Sequence, residues 1–179
     1  MPDATAVEAV LGRVADLLAA HPPASTPEEQ FWAAQYDAGL AWVQFPEGLG
    51  GLGLDPNLQM PVDEALRAAG APTNVLRNFM GVGMAGPTIN AWASDELKQR
   101  LLPPLFSCEE IWCQLFSEPG AGSDIANLST AAVRDGDGDG WIINGQKVWT
   151  TLAHIARWGL LLARTDPDAP KHAGLTYFI

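Results

Sequence analysis

The stretch CQLFSEPGAGSD, residues 113–124, puts an apolar run, a serine, an acid, a proline, two glycines and a second serine into one short segment. Three kinds of chemistry suit those types. Glycine-lined backbone amides cradle phosphate groups. A serine on a tight turn can act as a nucleophile, and a Pro-Gly sequence turns the chain. The nucleophile is the weakest of the three. Ser123 lacks the glycine two places on that a nucleophile elbow uses. Of the three histidines, His21 ends a helical pattern and His172 lies in a proline-containing turn; His154 reads as solvated or capping.

Two other patterns suggest ligands and fail on context. Gly81, Gly83 and Gly86 fit GxGxxG, but helix-like residues precede them, Pro87 follows, and no acid stands about 20 residues on. Small residues on a buried helix, packing closely or leaving room for a ligand, account for them better. Asp135, Asp137 and Asp139 hold the first, third and fifth positions of a calcium loop, with Gly140 at the sixth. Gln146 stands where the bidentate glutamate belongs, and both flanks read as strands, so a polar turn is expected there and no metal site. Cys108 and Cys113 read as small buried apolar residues. Trp149, taken alone, reads as core like the other six tryptophans.

The elements that must position these residues change style near residue 112. Before it the spacing is helical. Val7, Val10, Leu11, Val14, Leu17 and Leu18 form one stripe, stopped at His21-Pro22-Pro23. A second helix follows, with Thr26 as N-cap, Pro27 in its first turn and Glu29 closing a capping box. Residues 45–56 form a glycine-rich loop. A third helix is expected over 57–70, and a fourth, more buried, over 74–91. A fifth is capped by Ser94, carries Lys98 and Arg100 toward its end, and is broken by Pro103 and Pro104. After residue 112, residues 128–134, 140–151, 158–165 and 174–179 are short apolar or alternating runs separated by DGDGDG, NG and DPDAPKH turns. The expected class is α+β: an all-α domain over 1–112, then an incomplete antiparallel, barrel-like β domain over 113–179. The final residues fall inside a strand-like run, which suggests the front part of a longer protein.

Composition bounds the partners. The chain has 179 residues, 47% hydrophobic and 17% charged, enough for one good core or two small ones. A formal net charge of -11 disfavours wrapping nucleic acid or lying on an anionic membrane. A few local amides can still hold an anionic cofactor. Two cysteines without zinc spacing point to a reducing cytoplasm, and neither a leader pattern nor a membrane-length apolar run stands out.

Taken together, FSEPGAGSD, LSTAAVRDGDGDGWIINGQKVWTT, WGLLLARTDPDAP and GLTYFI resemble the signature run of the acyl-CoA dehydrogenases, in order and spacing. FPEGLGGLGL, GMAGPTI and ELKQRLLPPL resemble the family's loop and helices, so nearly the whole chain is covered. The resemblance implies an N-terminal helical domain, a small β domain, and a C-terminal helical bundle that these residues do not include. It implies FAD between the β domain and the helices, and oxidation of the Cα–Cβ bond of an acyl-CoA thioester to the trans-2-enoyl-CoA. A carboxylate would remove the α proton, flavin N5 would take the β hydride, and an electron-transferring flavoprotein would accept the electrons. A homo-oligomer, dimer or tetramer, is implied as well.

Residue by residue, Gln114, Leu115, Phe116 and Ser117 match the family's flavin-binding strand, with Ser117 donating to the pyrimidine end of the ring. Gly122 and Ser123 match the turn at the FAD pyrophosphate, and Ser123 also matches a contact to the CoA portion of the substrate. Trp149 would pack on the ring system, and Thr150 and Thr151 belong to the same covering segment, Thr151 bonding near N5. Aimed donors of this kind favour a reduced flavin, which gains negative charge. Glu118 and Asp124 match acids that the family uses structurally. The matching base lies beyond Ile179, so none is assigned here. Leu49 stands where the family commonly carries an aromatic residue. Two alternatives stay open: a non-catalytic subunit completing flavin or interface contacts in a heteromer, and an acyl-CoA oxidase.

Overall fold

The apolar stripe of the first segment becomes α1 (Ala4–Ala20), which buries Val10, Val14 and Leu17. Asp3 caps it, its carboxylate accepting the Thr5 amide, and His21 ends it. The computed structural model describes residues 3–136 and 138–179. These fall into two compact units, Met1–Glu110 and Ile111–Ile179.

In the first unit α1 packs against α3 (Gln59–Ala68), and α2 (Glu28–Asp37) packs against α5 (Asp95–Phe106). Phe31, Trp32, Leu40, Leu58, Ile89, Leu101, Leu102 and Leu105 are fully enclosed. Three local expectations need correction. Helix α2 has Pro27, not Thr26, at its cap position and no side-chain cap. The Thr26 amide is taken by the Pro22 carbonyl in the preceding turn, and Glu29 pairs with Arg77 at 2.6 Å rather than closing a box. Helix α5 is capped by Ser94 as expected but runs through Pro103 and Pro104. The fixed φ of proline suits a helix, and in the last turn only a few carbonyls lose donors. Lys98 therefore sits near the start, paired with Asp95 at 3.2 Å.

The fourth helical segment also differs. Residues 74–78 form a turn, and a regular path begins only at Phe79, passes through a π turn at Gly81–Ala85 and enters α4 (Gly86–Trp92). Two buried asparagines explain the turn. Asn74 Nδ2 donates to Phe106 O at 2.7 Å, and Asn78 Nδ2 to Leu105 O at 2.8 Å. They satisfy the end of α5, whose last carbonyls have no intrahelical donor. GxGxxG is thus helical, with no strand before it. Gly86 lies so close to the Trp42 ring that a Cβ would fall 2.7 Å from it, whereas Gly83 faces open space.

The second unit is a mixed sheet. Its strands are β1 (Trp112–Leu115), β2 (Ala131–Arg134), β3 (Trp141–Asn144), β4 (Trp158–Arg164) and β5 (Leu175–Phe178). Hairpins β2–β3 and β4–β5 are antiparallel, as the alternating runs and turns suggested. The α+β class holds, but the sheet is not antiparallel throughout. Strand β1 runs parallel to β4, pairing Trp112 with Trp158 through Leu115 with Leu161, and Ala131 meets Arg164 in parallel. The order is β1-β4-β2-β3, with β5 also on β4, and no pairing among the described strands closes it into a barrel. Leu160 and Ala163 form the core of β4. Val133, Ile142 and Ile143 on the β2–β3 hairpin remain exposed. Asp135 and Asp139 flank the turn between β2 and β3; Asp137, the middle acid of the calcium pattern, lies outside the described residues. No acid or thiol cluster fit for a metal occurs among the described residues.

Candidate functional site

Strand β1 delivers the quoted segment. Trp112 and Cys113 are buried, while Gln114, Leu115, Phe116 and Ser117 are half-exposed. Leu115 lies over Gly159, where a Cβ would fall 2.6 Å from its Cδ1. The Phe116 ring meets Tyr177 edge-on at 5.6 Å. These two contacts orient the strand exit. Among the described strands β1 pairs only with β4.

The chain then turns tightly. Glu118 N–H donates to Ala121 O at 2.8 Å, and Ala121 N–H returns to Glu118 O at 3.1 Å. Pro119 and Gly120 occupy the turn, as their types suggested. Ala121 is buried, and Gly122 and Ser123 emerge exposed. Neither amide of these two has a carbonyl partner among the described residues. Asp124 opens a short 3₁₀ turn, Ile125–Asn127, and pairs with Lys171.

A second segment runs beside the strand exit. Val148 N–H donates to Ser117 O at 2.9 Å, and Lys147 Nζ donates to Phe116 O at 3.0 Å. The same ammonium reaches Glu118 Oε1 at 2.9 Å, and both side chains are almost fully enclosed. Oε1 also accepts the Thr130 amide at 2.9 Å. Oε2 accepts the Ser129 amide at 2.7 Å and the Ser129 hydroxyl at 2.8 Å. The Thr130 hydroxyl, though buried, has no partner at hydrogen-bonding geometry; its amide is what reaches the carboxylate. Burial alone would push the Glu118 carboxyl up, but hydrogen bonds from Thr130, Ser129 and Lys147 outweigh it and hold the group well below the usual carboxylate range. A carboxylate with four donors on it has no lone pair left for a substrate proton.

Immediately after this tether comes Trp149. It is 90% exposed, not core, and its φ is +60°. A bulky residue in the left-handed region is uncommon and strained. Turns follow: Thr151 N–H donates to Trp149 O at 3.1 Å, and Leu152 has φ +69°. Thr150 is half-buried and Thr151 exposed. The hydroxyls of Ser117, Ser123, Thr150 and Thr151 have no hydrogen-bond partner among the described residues. Ser117 is thus brought directly beside the segment carrying Trp149. No hydrogen bond joins Gly122 and Ser123 to residues 149–151 among the described residues. Lys147 escaped the sequence reading; the signal was a lone charge within a strand-like run, GQKVW.

Open amides, four unengaged hydroxyls and an exposed indole suit a large planar cofactor with an anionic tail. These groups lie on the small sheet unit that follows the helical unit in the chain. Family models match both units. The model for the acyl-CoA dehydrogenase N-terminal domain matches residues 4–109, and that for the middle domain matches 113–179. The chain belongs to the acyl-CoA dehydrogenase family.

Acyl-CoA dehydrogenase FadE34 of Mycobacterium tuberculosis is 50% identical over 157 residues, covering 87% of this chain and 21% of that protein. The crystal structure of the ChsE4–ChsE5 complex from Mycobacterium tuberculosis superposes with a TM-score of 0.69 at 31% identity, covering 100% of this chain and 47% of the other. The Tcur3481–Tcur3483 steroid ACAD gives 0.66 at 28% identity, covering 98% and 47%. The chain therefore spans under half the length of these relatives. Among the described residues no helix is long and apolar enough to cross a membrane.

Proposed function

We propose that these residues form the front part of a FAD-dependent acyl-CoA dehydrogenase that oxidises the Cα–Cβ bond of an acyl-CoA thioester to the trans-2-enoyl-CoA. The supporting observation is the strained, exposed Trp149 held next to the residues that leave β1, within a chain of this family. Strained backbone at an exposed aromatic is the kind of cost that persists where a ligand uses it. Bound FAD would supply the hydride acceptor. This chain would supply its cradle: Gln114, Leu115, Phe116 and the Ser117 hydroxyl along the strand, the Gly122 and Ser123 amides at the pyrophosphate, Trp149 across the ring, and Thr150 and Thr151 as donors beside it. Ser123 would also reach the CoA portion of the substrate. Glu118, saturated by four donors, holds the scaffold and takes no proton.

The likeness to a steroid ACAD supports a bulky, sterol-derived acyl group as the substrate class. An electron-transferring flavoprotein is the acceptor that fits the family, in a homo-oligomer and in the cytoplasm, where two unpaired cysteines are at home. The test is full-length protein purified with its flavin, mixed anaerobically with sterol-side-chain and straight-chain acyl-CoA thioesters. Bleaching of the flavin band supports the proposal. Flavin-loaded protein that turns over no acyl thioester ends it, and oxygen consumption would replace the dehydrogenase by an oxidase.

A second reading has its own support, because both structural relatives bear two-component names. In it the chain is one subunit of a heteromer and completes flavin or interface contacts without supplying the base. Co-purification of a second polypeptide, with activity only in the mixture, distinguishes it.

A further inference from the structure

We infer that the buried Glu118–Lys147 pair is a positioning device: it sets where the Trp149 segment lies against the strand exit, and so the environment of whatever planar ring packs there. The inference rests on the flavin reading above. Lys147 is the residue where three constraints converge. Its ammonium donates to Phe116 O and Glu118 Oε1, and the next amide, that of Val148, donates to Ser117 O. Three consecutive residues of the strand exit, 116–118, are thus bonded to two consecutive residues, 147–148. Trp149 begins where those bonds stop.

The carboxylate end is equally fixed. Glu118 is bound to Ser129 and Thr130 just before β2, so the tether reaches a third segment. Gly145 lies against Thr130 so closely that a side chain there would overlap the threonine, which keeps the backbone leading into Lys147 at that distance. Both charged side chains are enclosed, with exposures of 4% for Glu118 and 9% for Lys147. A pair in that state contributes geometry more surely than net stability, since desolvation offsets much of its attraction. Trp149 itself has almost no contacts to define its position. Its position is set by the backbone on either side: the tether at Lys147 and Val148 before it, and the turn in which the Thr151 amide donates to its carbonyl after it.

The experiment uses full-length protein with FAD and compares Lys147→Gln, Lys147→Arg, Trp149→Phe and the Lys147→Gln/Trp149→Phe double variant. The readouts are visible circular dichroism of the bound flavin and its dissociation constant, taken where far-ultraviolet circular dichroism shows the protein folded. The expectation is that Lys147→Gln changes the visible band and weakens FAD roughly tenfold, about 1.4 kcal/mol. Lys147→Arg should restore the band, and the double variant should be little worse than Trp149→Phe alone. If Lys147→Gln fails to fold, Glu118→Gln/Lys147→Met replaces it, removing the bond between the two side chains and leaving no isolated buried charge. A folded variant whose band and affinity match wild type overturns the inference while Trp149→Phe still changes them. Wild-type protein that binds no flavin overturns the underlying reading as well.

Discussion

Replacing Trp149 by asparagine separates folding from ligand binding. The residue is 90% exposed with φ +60°, so the apoprotein gains little from the indole. A left-handed backbone costs a non-glycine residue about 1–2 kcal/mol, and asparagine tolerates it better than tryptophan. The apoprotein of Trp149→Asn should therefore be as stable as wild type or more so, by up to about 1 kcal/mol. Binding should move the other way. A tryptophan buries about 150–250 Å² when enclosed. Covering one ring face removes roughly 100 Å² from water, which at about 25 cal/mol per Å² is ~2.5 kcal/mol. That corresponds to a loss of roughly 60-fold in FAD affinity. The assay is titration of FAD into deflavinated full-length protein, followed by flavin fluorescence, beside thermal unfolding of the same apoprotein. Unchanged affinity with a lowered Tm would refute the reasoning, because Trp149 would then serve folding rather than a ligand.

Two further predictions follow from other features. The Glu118 carboxyl is held below its unfolded value of about 4.3, burial being outweighed by its hydrogen bonds. Its contribution is therefore complete above that pH and is lost as pH falls toward the folded value. Thermal melts between about pH 5 and pH 3 should show Tm falling, and Glu118→Gln should flatten that slope; an equal slope in both proteins contradicts the assignment. In the helical unit, a Cβ at Gly51 would overlap the carbonyl oxygens of Phe45 and Trp42, backbone atoms that cannot rotate away. Gly51→Ala should cost about 3 kcal/mol or more, seen as faster amide exchange in α2 and α5, whereas Gly83→Ala, in a helical turn and facing open space, should be neutral or stabilising by up to about 1 kcal/mol.

The elements of this protein were legible wherever the signal was local. The α1 stripe, the Ser94 cap, the glycine-rich loop and the two hairpins follow from periodicity and turn chemistry within a few residues. The ordered run of motifs was legible too, as a resemblance to the family whose models match the chain. Where the sequence misled, a distant partner had intervened. Asn74 and Asn78 look like helix residues until α5 needs donors for its final carbonyls. Strand β1 looks like one more antiparallel strand until it is laid parallel beside β4. Trp149 has the composition of core and the position of an exposed strap, because its backbone sign and its tether at Lys147 are set by residues far away in the chain. By itself the sequence determined most of the helix and strand segments, and the chemical kinds of group they carry. Only the tertiary structure decided which donors stay open and which are consumed. Hydrogen-bond capacity belongs to each residue, but its satisfaction depends on what the fold brings within about 3 Å.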